Sequence, residues 1–577
     1  MSMLTSLVRA YERLPDAPPY GYSTEKIGFC VVLNRDGSVA EVIDLRDNDK
    51  KRSPRMMRVP QAVKRTVGIV PNFLWDKSAY VLGVTAREGK RTAEEHAKFR
   101  SQHLDWLSGS DDPGLLALAR FLEQWTPEIF IQQCWDEAAK DQNLAFRLAE
   151  ERDYIHNRAA ARALWTKVGA AGAPDPQLCL ATGSSAPVAR LHPSLKGVWG
   201  AQSSGASLVS FNLDAFTSYG HEQGDNAPVS EVAAFAYTTA LNRFLEKDSG
   251  HRIQIGDTST VFWADATDAG VAAQSEAFFG AFFDPVATEK NSADTIAAQL
   301  ERIRRGERLA EVAPALEQGV RFCVLGLAPN AARLSVRFWW ENDFGTLTAH
   351  YQRYLDDMRL DPPPREGWPP LWRYLTELAA QGKRENVPPL IAGDWMRSIL
   401  TGAPYPLTLL STVLMRIRAD GEINARRAAM LKSVLIRNFA KEVPVALDPA
   451  NTNKGYILGR LFAVYEEVQR AALGGNVNAT IKDKFYGAAS ASPQKVFRTL
   501  DAGAQNHFSK LRKQSPGRAV NLEKLLGAIT ELMEPGRDPI PAALGAAEQA
   551  LFGIGYYHQR SDFFRKHDDT PITEADQ

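Results

Sequence analysis

Net charge is the first thing this chain lacks. Its 68 lysines and arginines are matched by 68 aspartates and glutamates over 577 residues. A uniformly basic nucleic-acid coat is therefore excluded, and any polyanion site has to be a local concentration of charge. Cysteine is scarce as well. Cys30, Cys134, Cys179 and Cys323 stand far apart and form no CxxC pair. That spacing argues against structural disulfides and a zinc site, and for a reducing intracellular compartment. Long apolar runs are missing: none approaches the roughly 18 residues of a spanning helix, and Arg9, Glu12 and Arg13 interrupt the N-terminal stretch. The expectation is a soluble, cytoplasmic protein with no membrane partner.

Catalytic motifs are missing too. The run from Gly83 to Gly89-Lys90 has one residue too many for a phosphate loop and continues into Arg91, not Ser or Thr. Gly553-x-Gly555 lacks the third glycine of a dinucleotide fingerprint, and no GxSxG occurs in the Gly/Ser-rich stretch 197–207. His96 and His103 are seven apart on a helical pattern, which is not chelating spacing, and His567-Asp568 lies in a charged tail. The sequence therefore predicts no catalytic residue, no metal site and no cofactor.

What is present is a mixed pattern followed by a helical one. The apolar runs Ile27–Leu33 and Val39–Leu45 flank Asn34-Arg35-Asp36-Gly37-Ser38, where Asp-Gly supplies the positive φ of a hairpin. Ala79–Thr85 reads as a strand, and the pattern from Thr92 to about Val168 as helical. Further on, Ser207–Leu213, Ile253–Ala264, Arg321–Leu327 and Arg333–Trp339 read as strands, with helices over Val229–Glu246 and Thr295–Arg308. Five prolines mark residues 361–370 as a linker. Beyond it Tyr456–Ala472 is amphipathic, and Ala425–Lys441, Leu522–Met533 and Ala542–Phe552 supply partners for it in a bundle. The predicted class is α+β. It comprises a mixed domain over 1–360, the linker, and an all-helical bundle over 371–577.

Two segments concentrate positive charge. Arg46–Arg65 carries eight Lys or Arg against two Asp, with Lys50, Lys51, Arg52, Arg55, Arg58, Lys64 and Arg65 interleaved with Pro54 and Pro60. The prolines exclude a long helix, so this is a loop or an edge strand carrying charge outward. Residues 480–520 hold Lys482, Lys484, Lys495, Arg498, Lys510, Arg512, Lys513 and Arg518 against Asp483 and Asp501. On helices these can line a phosphate-neutralising face; a merely solvated face is the bland alternative. Phe338-Trp339-Trp340 and Phe485-Tyr486 are candidates for base stacking or, more simply, for core.

Several long runs resemble one family. GYILGRLFAVYEEVQRAA (Gly455–Ala472), NATIKDKFYGAASASP (Asn478–Pro493), FGIGYYHQR (Phe552–Arg560) and GDWMRSILTGAPYP (Gly393–Pro406) are similar to the large subunit of the type I-C CRISPR surveillance complex, Cascade. So are FCVLGLAPNAARLSVRFW (Phe322–Trp339) and the stretch Ser210–Asn242. The resemblance implies a non-enzymatic subunit that recognises the protospacer-adjacent motif (PAM) in double-stranded DNA, helps open the duplex and holds the displaced strand. It also implies partners: the crRNA, the backbone, crRNA-processing and small subunits, and a separate helicase-nuclease. Base pairing reads sequence in such systems, and protein reads a short motif.

PAM contact is implied in the N-terminal domain. There the loop holding Asn72, Phe73 and Lys77, beside Lys64 and Arg65, has the polar, basic and apolar makeup that minor-groove binding uses. Lys50, Lys51, Arg52, Arg55 and Arg58 would position phosphates. In the bundle, Lys482, Lys484, Lys495, Arg498, Lys510, Arg512 and Lys513 would face the displaced strand. The resemblance also implies a separately translated small subunit, beginning at Met430 or at a non-Met codon such as Leu458 or Val464. The rival reading is a nuclease with an unfamiliar site.

Overall fold

A computed structural model describes residues 2–15, 17–48, 52–63, 65, 68–86, 91–132, 135–170, 176–283, 294–474 and 479–565. Lys50, Lys51, Lys64, Cys134, Asn478 and His567-Asp568 lie outside them. The chain forms two compact units, the first from Met1–Leu195 with Ser207–Leu241, the second from Lys196–Ala206 with Asn242–Gln577.

The first unit is built on a four-stranded sheet and a two-stranded ribbon. The ribbon pairs β1 (Tyr22–Ile27) with β4 (Arg55–Pro60), antiparallel. The sheet contains β2 (Phe29–Leu33), β3 (Val39–Asp44), β5 (Trp75–Lys77) and β6 (Asn143–Leu148), in the order β3-β2-β6-β5. β2 and β3 form the expected hairpin, turned by Gly37 at φ 87°. β6 runs parallel to β2, with Phe29 opposite Leu144 and Val31 opposite Phe146. Helices Thr92–Leu107 and Pro113–Gln124 pack Phe99, Leu118, Phe121 and Leu122 into the same core as Phe29, Val31, Leu33 and Phe146.

Three predicted elements of this unit need correction. The helical reading over 92–168 misses β6, a central strand whose near-continuous apolar run carries no period to separate it from helix. The strand expected at Ala79–Thr85 is instead a helical turn, Ser78–Val81, that follows the short β5. Ser207–Leu213 forms no strand; its apolar residues find no sheet to cover, and Leu213 stays exposed. After a short pair, β7 (Pro176–Leu178) and β8 (Ser185–Pro187), the unit ends at Leu241, within helix Glu231–Leu245.

The second unit opens with an antiparallel sheet, β9 (Arg252–Ile255), β10 (Thr258–Asp265), β11 (Arg321–Asn330) and β12 (Arg333–Asp343), ordered β12-β11-β10-β9. The single strand expected at Ile253–Ala264 is thus a hairpin. Gly256, at φ 60°, turns the chain between β9 and β10. Phe262, Phe322, Val324, Phe338 and Trp340 pack from one sheet face against helices Ala269–Phe283 and Phe344–Met358.

From Phe344 onward every regular element among the described residues is helical, so the mixed-then-helical α+β class holds. Residues 361–370 lie inside this unit. The Asp361 N–H donates to Val445 O (2.8 Å), the Tyr557 hydroxyl donates to Pro362 O (2.8 Å), and Pro364 and Pro369 are buried. Helix Lys454–Leu473 is the hub. It is buried on nearly every side, not along one stripe, against Pro493–Gln514, Pro516–Glu531 and Ala546–Asp562.

Candidate nucleic-acid interface

The loop before β5 is organised around a buried carboxylate. Asp76 has no exposed surface; its Oδ2 accepts from Arg65 (2.5 Å) and from the Asn72 N–H (2.8 Å), and its Oδ1 from the Lys77 N–H (2.8 Å). Burial pushes its carboxyl above the usual carboxylate range, while Arg65 and the two N–H groups pull the other way. Arg65 also donates to Val70 O (2.7 Å) and lies over the Tyr80 ring at 4.1 Å.

The structure therefore brings Arg65, Asn72, Phe73 and Lys77 together, in unequal roles. Asn72 is 5% exposed, and its Oδ1 accepts from the Val63 N–H (2.9 Å). Phe73 is 1% exposed and stacks on Trp165 at 5.1 Å. Neither side chain reaches solvent in this arrangement. Lys77 does. The histidines of the same region serve the scaffold. His103 Nδ1 donates to Phe99 O (2.8 Å) and Nε2 accepts from the Leu74 N–H (3.0 Å), and His96 bonds Tyr80 O (3.0 Å).

Charge in the 46–65 segment is partly spent internally. Arg46 grips Asp44 bidentately, Arg52 reaches the same carboxylate at 3.3 Å, and Arg65 is held by Asp76. Both Arg55 and Arg58 are exposed, Arg58 on the outward face of β4 and Arg55, opposite Ile27, at the start of the strand on the other face. Register adds residues that sequence reasoning missed. Lys26 stands opposite Met56, and Thr24 opposite Arg58. Directly opposed residues share a face, and all four are exposed, Met56 at 56%. The other ribbon face buries Ile27, Met57 and Val59 with Trp75 and Ala145. In β4 exposed Met56 and Arg58 alternate with buried Met57 and Val59, but only the pairing with β1 reveals their partners.

In the second unit, Thr480 and Asp483 form a capping box that starts helix Ile481–Ala491, and Pro493 opens helix Pro493–Gln514. The longer helix buries Val496, Phe497, Leu500, Ala504, Phe508 and Leu511. At 100° per residue, Lys495, Arg498, Ala502, Asn506, Ser509 and Lys513 lie on the opposite face, and all six are exposed. Lys495 and Lys513 are five turns apart, about 27 Å. No acid lies on this stripe; Asp501 sits at its flank and accepts from the Tyr465 hydroxyl (3.3 Å). Lys484 and Lys510 are exposed and Lys482 half-buried. Arg512 pairs with Glu523, and Arg518 with Glu467 (2.5 Å). Phe338, Trp340 and Tyr486 are core residues, so they are not stacking surfaces.

Compared with known families, the chain matches over residues 7–564 the one described as CRISPR-associated protein (Cas_Csd1). The chain belongs to this family. No curated protein matches it. For a Csd1-family protein the two basic surfaces acquire a context, since members are CRISPR-associated. Among the described residues, no group of three or more His, Cys, Asp or Glu could hold a metal ion, and no helix is long and apolar enough to cross a membrane. Cys30, Cys179 and Cys323 are buried free thiols.

Proposed function

We propose that this Csd1-family protein is the non-catalytic large subunit of a type I-C Cascade. In this reading it recognises the PAM in double-stranded DNA, helps open the duplex, holds the displaced strand and recruits a separate helicase-nuclease. Its partners are the crRNA and the backbone, crRNA-processing and small subunits. The observation that carries the reading is the acid-free stripe of Lys495, Arg498 and Lys513 on a helix whose opposite face is fully committed to the bundle. Such a stripe runs the length of about eight nucleotides at 3.4 Å rise and neutralises phosphates without reading bases. Lys77, beside the Asp76-centred loop, supplies a point charge to the duplex.

The test is salt-dependent binding of a single strand. Replacing Lys495, Arg498 and Lys513 together by Gln should lower the slope of log K against log salt by about 2, at roughly 0.7 per phosphate contact. An unchanged slope would remove the stripe from the interface. Incubating the purified chain with DNA and divalent metals separates this reading from the nuclease: cleavage would sink the non-catalytic assignment.

A further inference from the structure

A small cleft in the first unit is lined by Arg190, His192, Ser207, Ser210, Phe211 and Gly224. His192 is 4% exposed, and its Nδ1 lies 2.7 Å from the Tyr237 hydroxyl. Tyr237 is fully buried and its hydroxyl makes no other hydrogen bond, so the phenol donates to Nδ1 and the ring hydrogen sits on Nε2. That Nε2–H has no partner among the described residues. A buried donor left unpaired is costly, which points to an acceptor from outside the chain. Arg190 is exposed and pairs with no carboxylate among the described residues. No acid lines the cleft, and Asp225, next to Gly224, accepts from Gln177 Nε2 (3.4 Å). The loop from Phe211 to Gly224 starts and ends at this cleft. Its return is fixed, because a Cβ at Gly224 would overlap Ala189 O, and Asn226 Nδ2 donates to His221 O and Gln223 O (3.1 Å each). In the turn closed by the Ser218–His221 bridge, Tyr219 is held at φ 52° and Gly220 at φ 80°. A bulky residue in the left-handed region is strained, yet Tyr219 is 99% exposed and packs on nothing. The turn holds an aromatic ring clear of the protein.

We propose that this cleft binds one phosphate of a single-stranded nucleic acid, with a neighbouring base stacked on Tyr219. The His192 Nε2–H, the Arg190 guanidinium and the Ser207 and Ser210 hydroxyls are donors for the phosphate oxygens. The space inside is about 30 Å³, room for a small polar group and not for a base. The base therefore lies outside, where the loop that frames the cleft presents Tyr219; an aromatic face suits any base. This site lies in the first unit and the stripe on helix Pro493–Gln514 in the second, so the inference goes beyond the function proposed above. The cleft anchors a strand at one phosphate, whereas the stripe neutralises several.

The test uses the full chain with Lys495, Arg498 and Lys513 all changed to Gln, so that the stripe does not mask the cleft. Fluorescence anisotropy of a labelled single strand, made as RNA and as DNA of one sequence, reads the binding. In that background Arg190→Gln should weaken binding about tenfold and lower the salt slope by about 0.7. Tyr219→Asn, which tolerates the left-handed turn, should weaken it about tenfold with the slope unchanged, and Tyr219→Trp should keep it. Both positions are exposed, and matching thermal melts establish that each variant is folded. The strand should also shift the His192 Nε2 signal in a ring-¹⁵N spectrum, identified by its loss in His192→Gln. Weaker binding of either strand supports the site and names the source of its phosphate. Affinity unchanged by Arg190→Gln or by Tyr219→Asn on both strands would overturn the proposal. So would a stripe variant that binds neither strand, a result that leaves the stripe itself standing.

Discussion

Asn72, Phe73 and Lys77 are close in sequence but differ sharply in what their side chains can do. Phe73 fills a core site against Trp165, Trp106 and His103. Phe73→Ala should therefore cost about 3–5 kcal/mol of stability, and any loss of binding should follow unfolding equally on every DNA sequence. Lys77→Ala should leave the melting temperature unchanged and weaken duplex binding, because its side chain is exposed and contributes only charge. Asp76 is the residue that joins the two behaviours. Asp76→Ala would strand Arg65, the buried Asn72 N–H and the half-buried Lys77 N–H, so about 3 kcal/mol should be lost. Denaturant titration of the three variants beside duplex titration separates them, and a Phe73→Ala protein of parent stability would refute the assignment to the core.

At the scale of elements, the runs that signal the family turn out to be packing devices. Helices Lys454–Leu473 and Ala546–Asp562 cross at glycines: a Cβ at Gly459 would overlap the Phe552 carbonyl, one at Gly455 the Glu548 carbonyl, and one at Gly555 the Tyr456 carbonyl. Side-chain bonds lock the same crossing, with Tyr456 Oη and His558 Nδ1 at 2.9 Å and Arg460 Nε donating to Gln559 Oε1 (3.0 Å). Gly459→Ala should cost at least about 2 kcal/mol, since neither backbone can give way. Gly487→Ala, where an added Cβ meets nothing within 4 Å, should be neutral or mildly stabilising. Equal denaturation midpoints for the two variants would contradict the close crossing.

These elements also show what the sequence makes legible. The β2–β3 hairpin, the β11–β12 pair and the bundle helices announce themselves through turn chemistry and period. β6 does not, because a strand buried on both faces has no alternation. The basic helix stripe was legible as a charge cluster, but the Lys26–Met56 pairing was not. Register between β1 and β4, nearly thirty residues apart, is a long-range property that no local pattern encodes. Burial likewise separates Asn72 and Phe73 from Lys77, although composition made the three look equivalent.

At the scale of the whole molecule, buried neutral histidines tie stability to pH in both units. Burial pushes His103 and His156, in the first unit, and His558, in the second, down to about 4. Their scaffold bonds suit the neutral ring; His103, for instance, must donate from Nδ1 and accept at Nε2. The folded values lie below the ordinary 6.5, so the unfolded chain takes up protons first as pH falls. The stabilisation is complete above about pH 6.5 and is lost progressively toward pH 4. Each of the three should then cost about 2 kcal/mol between pH 7 and pH 5. Urea denaturation at the two values measures the loss, to which His192, also pushed down to about 4 by burial, adds. His103→Gln should flatten part of the pH dependence, at some cost in stability at pH 7. A stability that stays level from pH 7 to pH 5 would contradict neutral buried rings, of which His103 can accept from the Leu74 N–H only while its Nε2 is unprotonated.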